Sequence, residues 1–130
     1  MRIVAILIAT TICAGASAKC RTESFEVNGT VTDSSGRVVS GAVIAASWVE
    51  RGRAQGPVIA YSDSNGHYTL NIVFNTYSKG SWIRGDVCKE KLGELAVSAL
   101  APGLLADPLR IAVHGSAITA DLSLAVANTR

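Results

Sequence analysis

Val27-Asn28-Gly29-Thr30-Val31-Thr32-Asp33-Ser34-Ser35-Gly36-Arg37-Val38-Val39-Ser40-Gly41-Ala42-Val43-Ile44 is the stretch on which the fold turns. Phe25, Val27 and Val31 share one face at a period of two, the pattern of a half-buried strand. Asp33-Ser34-Ser35-Gly36 then reverses the chain, because an Asp side chain accepts from backbone amides just ahead of it and Gly takes positive φ without steric cost. A second strand is predicted over Ala42-Val43-Ile44-Ala45-Ala46-Ser47-Trp48-Val49.

The same punctuation recurs downstream. Asp63-Ser64-Asn65-Gly66 repeats the Asp-Ser-x-Gly turn, and Tyr68, Leu70, Ile72 and Phe74 alternate behind it, so a hairpin with one buried face is predicted. Between the second strand and Val58-Ile59-Ala60-Tyr61-Ser62, the polar run Glu50-Arg51-Gly52-Arg53-Ala54-Gln55-Gly56-Pro57 reads as a loop. Residues 94–101 satisfy both a helical and a strand spacing, and local pattern leaves the two open. A run from Leu109 to Val113 and a final strand over Ala117 to Ala127, alternating Ile118, Ala120, Leu122, Leu124 and Val126, complete the pattern. About seven short strands without a βαβ rhythm imply an all-β antiparallel sandwich or barrel.

Composition bounds the function classes. With 48% hydrophobic and 17% charged residues, the chain of 130 residues can support a core, which excludes intrinsic disorder. A formal net charge of +2 without a basic cluster argues against nucleic acid as a partner. Arg2 precedes an apolar run from Ile3 to Ala14, and Ala16-Ser17-Ala18 follows in the arrangement that signal peptidase accepts. Residues 1–18 therefore read as a cleaved signal peptide and 19–130 as the folded domain, with no stable membrane span after cleavage, in the periplasm or secreted. Cys20 and Cys88 are the cysteines left after cleavage, and an oxidising compartment makes their disulfide the natural pairing; a reactive thiol has no C-x-x-C pair to support it.

Val27-x-Gly29-x-Val31-x-Asp33-x-x-Gly36-x-Val38-Val39-x-Gly41-Ala42-x-Ile44, followed by Asp63-x-Asn65-Gly66-x-Tyr68-x-Leu70, resembles the carboxypeptidase regulatory-like domain family, with Val39 where that family has proline. The resemblance covers about residues 25 to 126. It implies a seven-stranded antiparallel Greek-key β-sandwich of the transthyretin-like, or prealbumin-like, kind, and it favours a strand at 94–101. It also implies an accessory module without catalysis. Independently of it, each glycine of the run sits where a turn or a close backbone approach is wanted.

No residue set carries an enzyme signature: G-x-S-x-G, P-loop and G-x-G-x-x-G are absent, and His67 and His114 have no ligand-like spacing to another His, Cys or carboxylate. No catalytic, metal or cofactor site is therefore expected. The segment 75–93 holds Tyr77, Trp82 and Arg84, residue types enriched at binding hot spots, and Trp82 has the alternative of covering one end of the sandwich beside the Cys20–Cys88 bridge. The resulting expectation is an exported, non-catalytic module binding an envelope protein or glycan through Tyr77, Trp82 and Arg84, or else an assembly module pairing through an exposed edge strand.

Overall fold

The computed structural model describes residues 19–78 and 88–127. The signal peptide expected over 1–18, and Trp82 and Arg84, lie outside the described residues. The strands are β1 (Lys19–Asp33), β2 (Val43–Glu50), β3 (Arg53–Tyr61), β4 (His67–Tyr77), β5 (Glu94–Ala101), β6 (Leu104–Leu105), β7 (Leu109–Ala112), β8 (Ala117–Thr119) and β9 (Leu122–Val126). The all-β expectation holds, and the ambiguous segment 94–101 is a strand.

The nine strands form one sheet along the path β3-β2-β5-β6-β9-β1-β4, with β7 added to β5 and β8 to β1. It is mixed rather than purely antiparallel, because β1 pairs antiparallel with β4 on one edge and parallel with β8 and β9 on the other. The sheet curls until β3 and β4, the two ends of the path, touch one another without forming a ladder. At this seam the nearly barrel-shaped sheet of the described residues stays open.

The period-two reading of the core holds for β1, β2, β4 and β5, whereas Ile118 and Val126, at the two ends of the alternating C-terminal run, are exposed. Phe25, Val27 and Val31 from β1, Ile44 and Ala46 from β2, Leu70, Ile72 and Phe74 from β4, and Leu95 and Val97 from β5 all point into one buried cluster. Burying such side chains is worth about 1.5–3 kcal/mol each, which is what holds the curled sheet together. The buried hydroxyls are paired: Ser62 Oγ donates to the Val39 carbonyl at 2.6 Å and accepts from the Ala42 amide at 2.9 Å.

Both Asp turns form. Asp33 Oδ1 accepts from the Ser35 amide at 2.8 Å and the Ser35 hydroxyl at 2.6 Å, and Asp63 Oδ1 accepts from the amides of Asn65 at 2.8 Å and His67 at 2.9 Å. The Ser35 hydroxyl, with the backbone amides of Arg37 and Ser35, holds the Asp33 carboxyl down at about 2. Gly29 is a different case. A Cβ there would lie 2.6 Å from the Ala120 carbonyl carbon and closer still to its oxygen, so this glycine exists to admit a neighbouring backbone.

Two elements differ from expectation. The polar run 50–57 is a tight reversal at Arg51-Gly52, with φ of 51° and 75°, after which β3 starts at once. Two successive positive φ values are the mark of a two-residue hairpin turn. Pro57 sits inside β3 because that strand is an edge and its pairing with β2 slips there, between Ala46 and Trp48, so no ladder donor is needed. The single final strand becomes β8 and β9, separated by Ala120-Asp121. Asp121 Oδ1 takes the Thr30 amide at 2.8 Å across that gap, and the Tyr68 hydroxyl donates to the Ala120 carbonyl at 2.6 Å. Burial, with the Asp121 charge adding to it, pushes the Tyr68 phenol up to about 12.

Candidate functional site

The seam between β3 and β4 collects polar side chains. The Arg51-Gly52 turn ends β2 with Glu50 and begins β3 with Arg53, so Glu50, Arg51, Arg53 and Gln55 present themselves to the last residues of β4, Asn75 and Tyr77. The Tyr77 hydroxyl donates to Glu50 Oε1 at 2.7 Å, and the Arg51 guanidinium lies 4.8 Å from the centre of the Tyr77 ring. Such a cation over an aromatic face adds roughly 0.5–1 kcal/mol at an exposed position. Arg51 also reaches Glu90 at 4.0 Å.

The far wall is pinned covalently. Cys20 and Cys88 form the disulfide anticipated from the sequence, with their Cα atoms 5.5 Å apart. Two residues on, Glu90 exchanges backbone hydrogen bonds with Tyr77, at 2.9 and 3.1 Å, before Lys91 and Leu92 run along the cleft. The bridge therefore holds residues 88–92 against the end of β4.

Two depressions flank the Tyr77–Glu50 pair. One of about 320 Å³ is lined by Glu50, Arg51, Arg53, Gln55, Asn75 and Tyr77. The other, of about 150 Å³, adds Glu90, Lys91 and Leu92. The hydrogen bond to Glu50 raises the Tyr77 phenol above its ordinary range, burial and the Glu50 charge act the same way, and Asn75 and Arg51 pull against them. Tyr77 is thus a fixed donor at neutral pH, not a base. Among the described residues the second oxygen of Glu50 has no hydrogen-bond partner, so it remains an acceptor for a hydroxyl brought into the cleft.

A larger groove, about 440 Å³, lies over Ser47, Ala54 and Ala96 on the outer face of the sheet. Trp48, Val49 and Pro108 complete its lining, and its Arg110 and Glu94 already satisfy each other at 2.7 Å. Convergent unsatisfied polar groups, rather than volume, mark the seam as the stronger candidate. Among the described residues no group of three or more His, Cys, Asp or Glu side chains is placed to hold a metal ion. None of these residues forms a helix long and apolar enough to cross a membrane.

Of the three residues singled out from the sequence, Tyr77 is in the cleft, whereas Trp82 and Arg84 lie outside the described residues. Sequence reasoning missed Glu50, Arg51, Arg53, Gln55 and Asn75. The signal available for them was the positive-φ pair Arg51-Gly52, which turns a polar run into the start of a strand.

No family model matches the chain, and no curated protein does. Solved structures do match. Chlorocatechol 1,2-dioxygenase from Pseudomonas putida is 14% identical with a TM-score of 0.50, over 80% of this chain and 61% of that one. The 3-chlorocatechol 1,2-dioxygenase from Rhodococcus opacus 1CP is 10% identical with a TM-score of 0.53, over 81% and 60%. Catechol 1,2-dioxygenase from Acinetobacter radioresistens is 14% identical with a TM-score of 0.53, over 83% and 53%. The likeness is one of fold. The chain spans between about half and three fifths of the length of these enzymes. They nonetheless correct two expectations. The inference from the fold to a non-catalytic binding or assembly module, and to the absence of enzyme activity, is overturned, because this arrangement of strands is one that dioxygenases use.

Proposed function

We propose that the chain is a small-molecule-handling domain built on an enzyme-type β fold, with the β3–β4 seam as its ligand site. The observation that carries this reading is the Tyr77 hydroxyl fixed on Glu50 at 2.7 Å beside a cavity of about 320 Å³, onto which Arg53 and Gln55 open with no side-chain hydrogen bond or ion pair among the described residues. A dry cavity of about 150 Å³ holds benzene, so the larger of the two depressions has room for one substituted ring. Glu50 would accept from a ring hydroxyl. Arg51, stacked on Tyr77, would form the roof.

The same proposal includes export, with residues 1–18 removed and the domain periplasmic or secreted; the Cys20–Cys88 bridge is consistent with an oxidising compartment. Kinship with carboxypeptidase regulatory-like domains, and a prealbumin-like Greek-key description of the strand order, are supported by the Gly29-to-Tyr68 run and its two Asp turns.

A titration of the isotopically labelled domain with catechol, the compound the neighbouring enzymes act on, tests the site. Amide shifts confined to 50–55, 75–77 and 90–92, and lost in Glu50→Gln, are the expected result. Shifts centred on Ser47 and Ala96, or none at millimolar catechol, would overturn it.

A further inference from the structure

Arg53 stands apart in the cleft. Arg51 is committed to the Tyr77 ring and Glu90, and Lys91 lies 3.6 Å from Glu23, but among the described residues neither the Arg53 guanidinium nor the Gln55 amide has a side-chain hydrogen bond or ion pair. Both line the depression of about 320 Å³, two residues apart and so on the same face of β3. A guanidinium offers parallel N–H donors that match two oxygens in a plane, and a carboxamide beside it offers a further donor.

The acidic groups of the cleft are engaged differently. Glu50 accepts from Tyr77, and Glu90 faces Arg51. Arg51 is set against Glu90 and Lys91 against Glu23, which leaves Arg53 as the lining cation without an ion pair among the described residues, while the Glu50 carboxylate is held by the Tyr77 hydroxyl.

Resting on the cleft reading above, we infer that the ligand carries a carboxylate, which Arg53 and Gln55 bind at one end while its hydroxyl-bearing or apolar body lies toward Tyr77 and Glu50. The preference is set by charge and by planar geometry together. Replacing Arg53 by Lys keeps the charge but removes the fork, so it recovers part of the preference.

The test uses three ring compounds of equal size: benzoate, benzamide and benzylamine. Each is titrated into the labelled full domain and followed at the amides of 50–55 and 75–77. Benzoate is expected to bind at least tenfold more tightly than benzamide, with benzylamine weakest, and added NaCl should weaken benzoate alone. Arg53→Gln should weaken benzoate more than benzamide and so abolish the preference between them; Arg53→Lys should fall between. Arg53 is an exposed side chain, so these variants keep the core intact. Equal binding of benzoate and benzamide, or a preference for benzylamine, would overturn the carboxylate while leaving the cleft as a ligand site. Binding of none of the three would overturn both.

Discussion

Replacing Gly29 by Ala gives the sharpest test of how this fold is held together. The added methyl would press on the Ala120 peptide, 2.6 Å from its carbonyl carbon. That peptide cannot retreat freely, because its carbonyl accepts the buried Tyr68 hydroxyl at 2.6 Å and its N–H donates to the Asn28 carbonyl at 2.8 Å. Losing two such bonds costs about 1 kcal/mol each, and forcing a methyl into filled space adds about 1–3 kcal/mol. The expected loss is therefore about 3–5 kcal/mol, a large part of the 5–15 kcal/mol that stabilises a typical domain. At roughly 4 °C per kcal/mol for a domain of this size, Tm should fall by about 12–20 °C. Urea unfolding at neutral pH measures it directly. The companion variant Tyr68→Phe should cost about 1–2 kcal/mol in the wild-type background and almost nothing in Gly29→Ala, a coupling of at least about 1 kcal/mol. Gly36→Ala, where φ is +83° but nothing lies within 4 Å, supplies a contrast in which backbone strain alone costs about 1–2 kcal/mol. Additive effects at positions 29 and 68, or a loss below about 1 kcal/mol for Gly29→Ala, would refute the close-approach account.

Three further outcomes follow from the geometry. The Tyr68 phenol is raised from 10.0 to about 12 in the fold, so the unfolded chain releases that proton first; stability should fall as pH rises from 10 toward 12, and Tyr68→Phe should flatten that limb of an alkaline unfolding curve. Asp33 titrates the other way: its folded value of about 2 lies below the ordinary 3.8, so its contribution is present above pH 3.8 and fades as pH drops toward 2, and acid unfolding of Asp33→Asn should lack that share of the slope. Converting Cys20 and Cys88 to Ser opens a loop with a sequence separation of 68, which the chain-entropy relation values at about 4 kcal/mol; the amides of Tyr77 and Glu90 should then exchange faster than those of β5, and unchanged exchange would show that the bridge does not hold that wall.

Much of the fold is legible in the chain because β structure writes itself at period two. Phe25, Val27 and Val31, and then Tyr68, Leu70, Ile72 and Phe74, declare their buried face by spacing alone. Asp33 and Asp63 declare their turns by side-chain chemistry. The candidate site is harder to see, since its members are joined by the curl of the sheet and not by nearness in sequence: Glu50 and Tyr77 are 27 positions apart. A polar edge strand also lacks the alternation that betrays a buried one. Arg53, Ala54 and Gln55 therefore look like loop until their pairing with β2 is known. Tyr77 stood out because it lies in a stretch without a period, a property of the segment rather than of its partners. The mixed pairing of β1 is hidden for a similar reason, because alternation specifies a face but not which strand lies alongside or in which direction it runs.

The double pairing of β1 has a consequence for how the molecule is made. The strand that carries Thr30 meets Asp121 only after 91 intervening steps of chain, and Val31 needs Leu122 beside it to complete its ladder. Until those distant residues have emerged, one whole edge of β1 has no native neighbour, and β4 alone leaves it in an incomplete hairpin. Structure of such long range forms slowly, since the entropy of closing the intervening chain must be met before any contact rewards it. Assembly of the barrel is thereby deferred until synthesis of the last strand is finished, and a nascent chain stopped before residue 117 should remain open and protease-sensitive along β1.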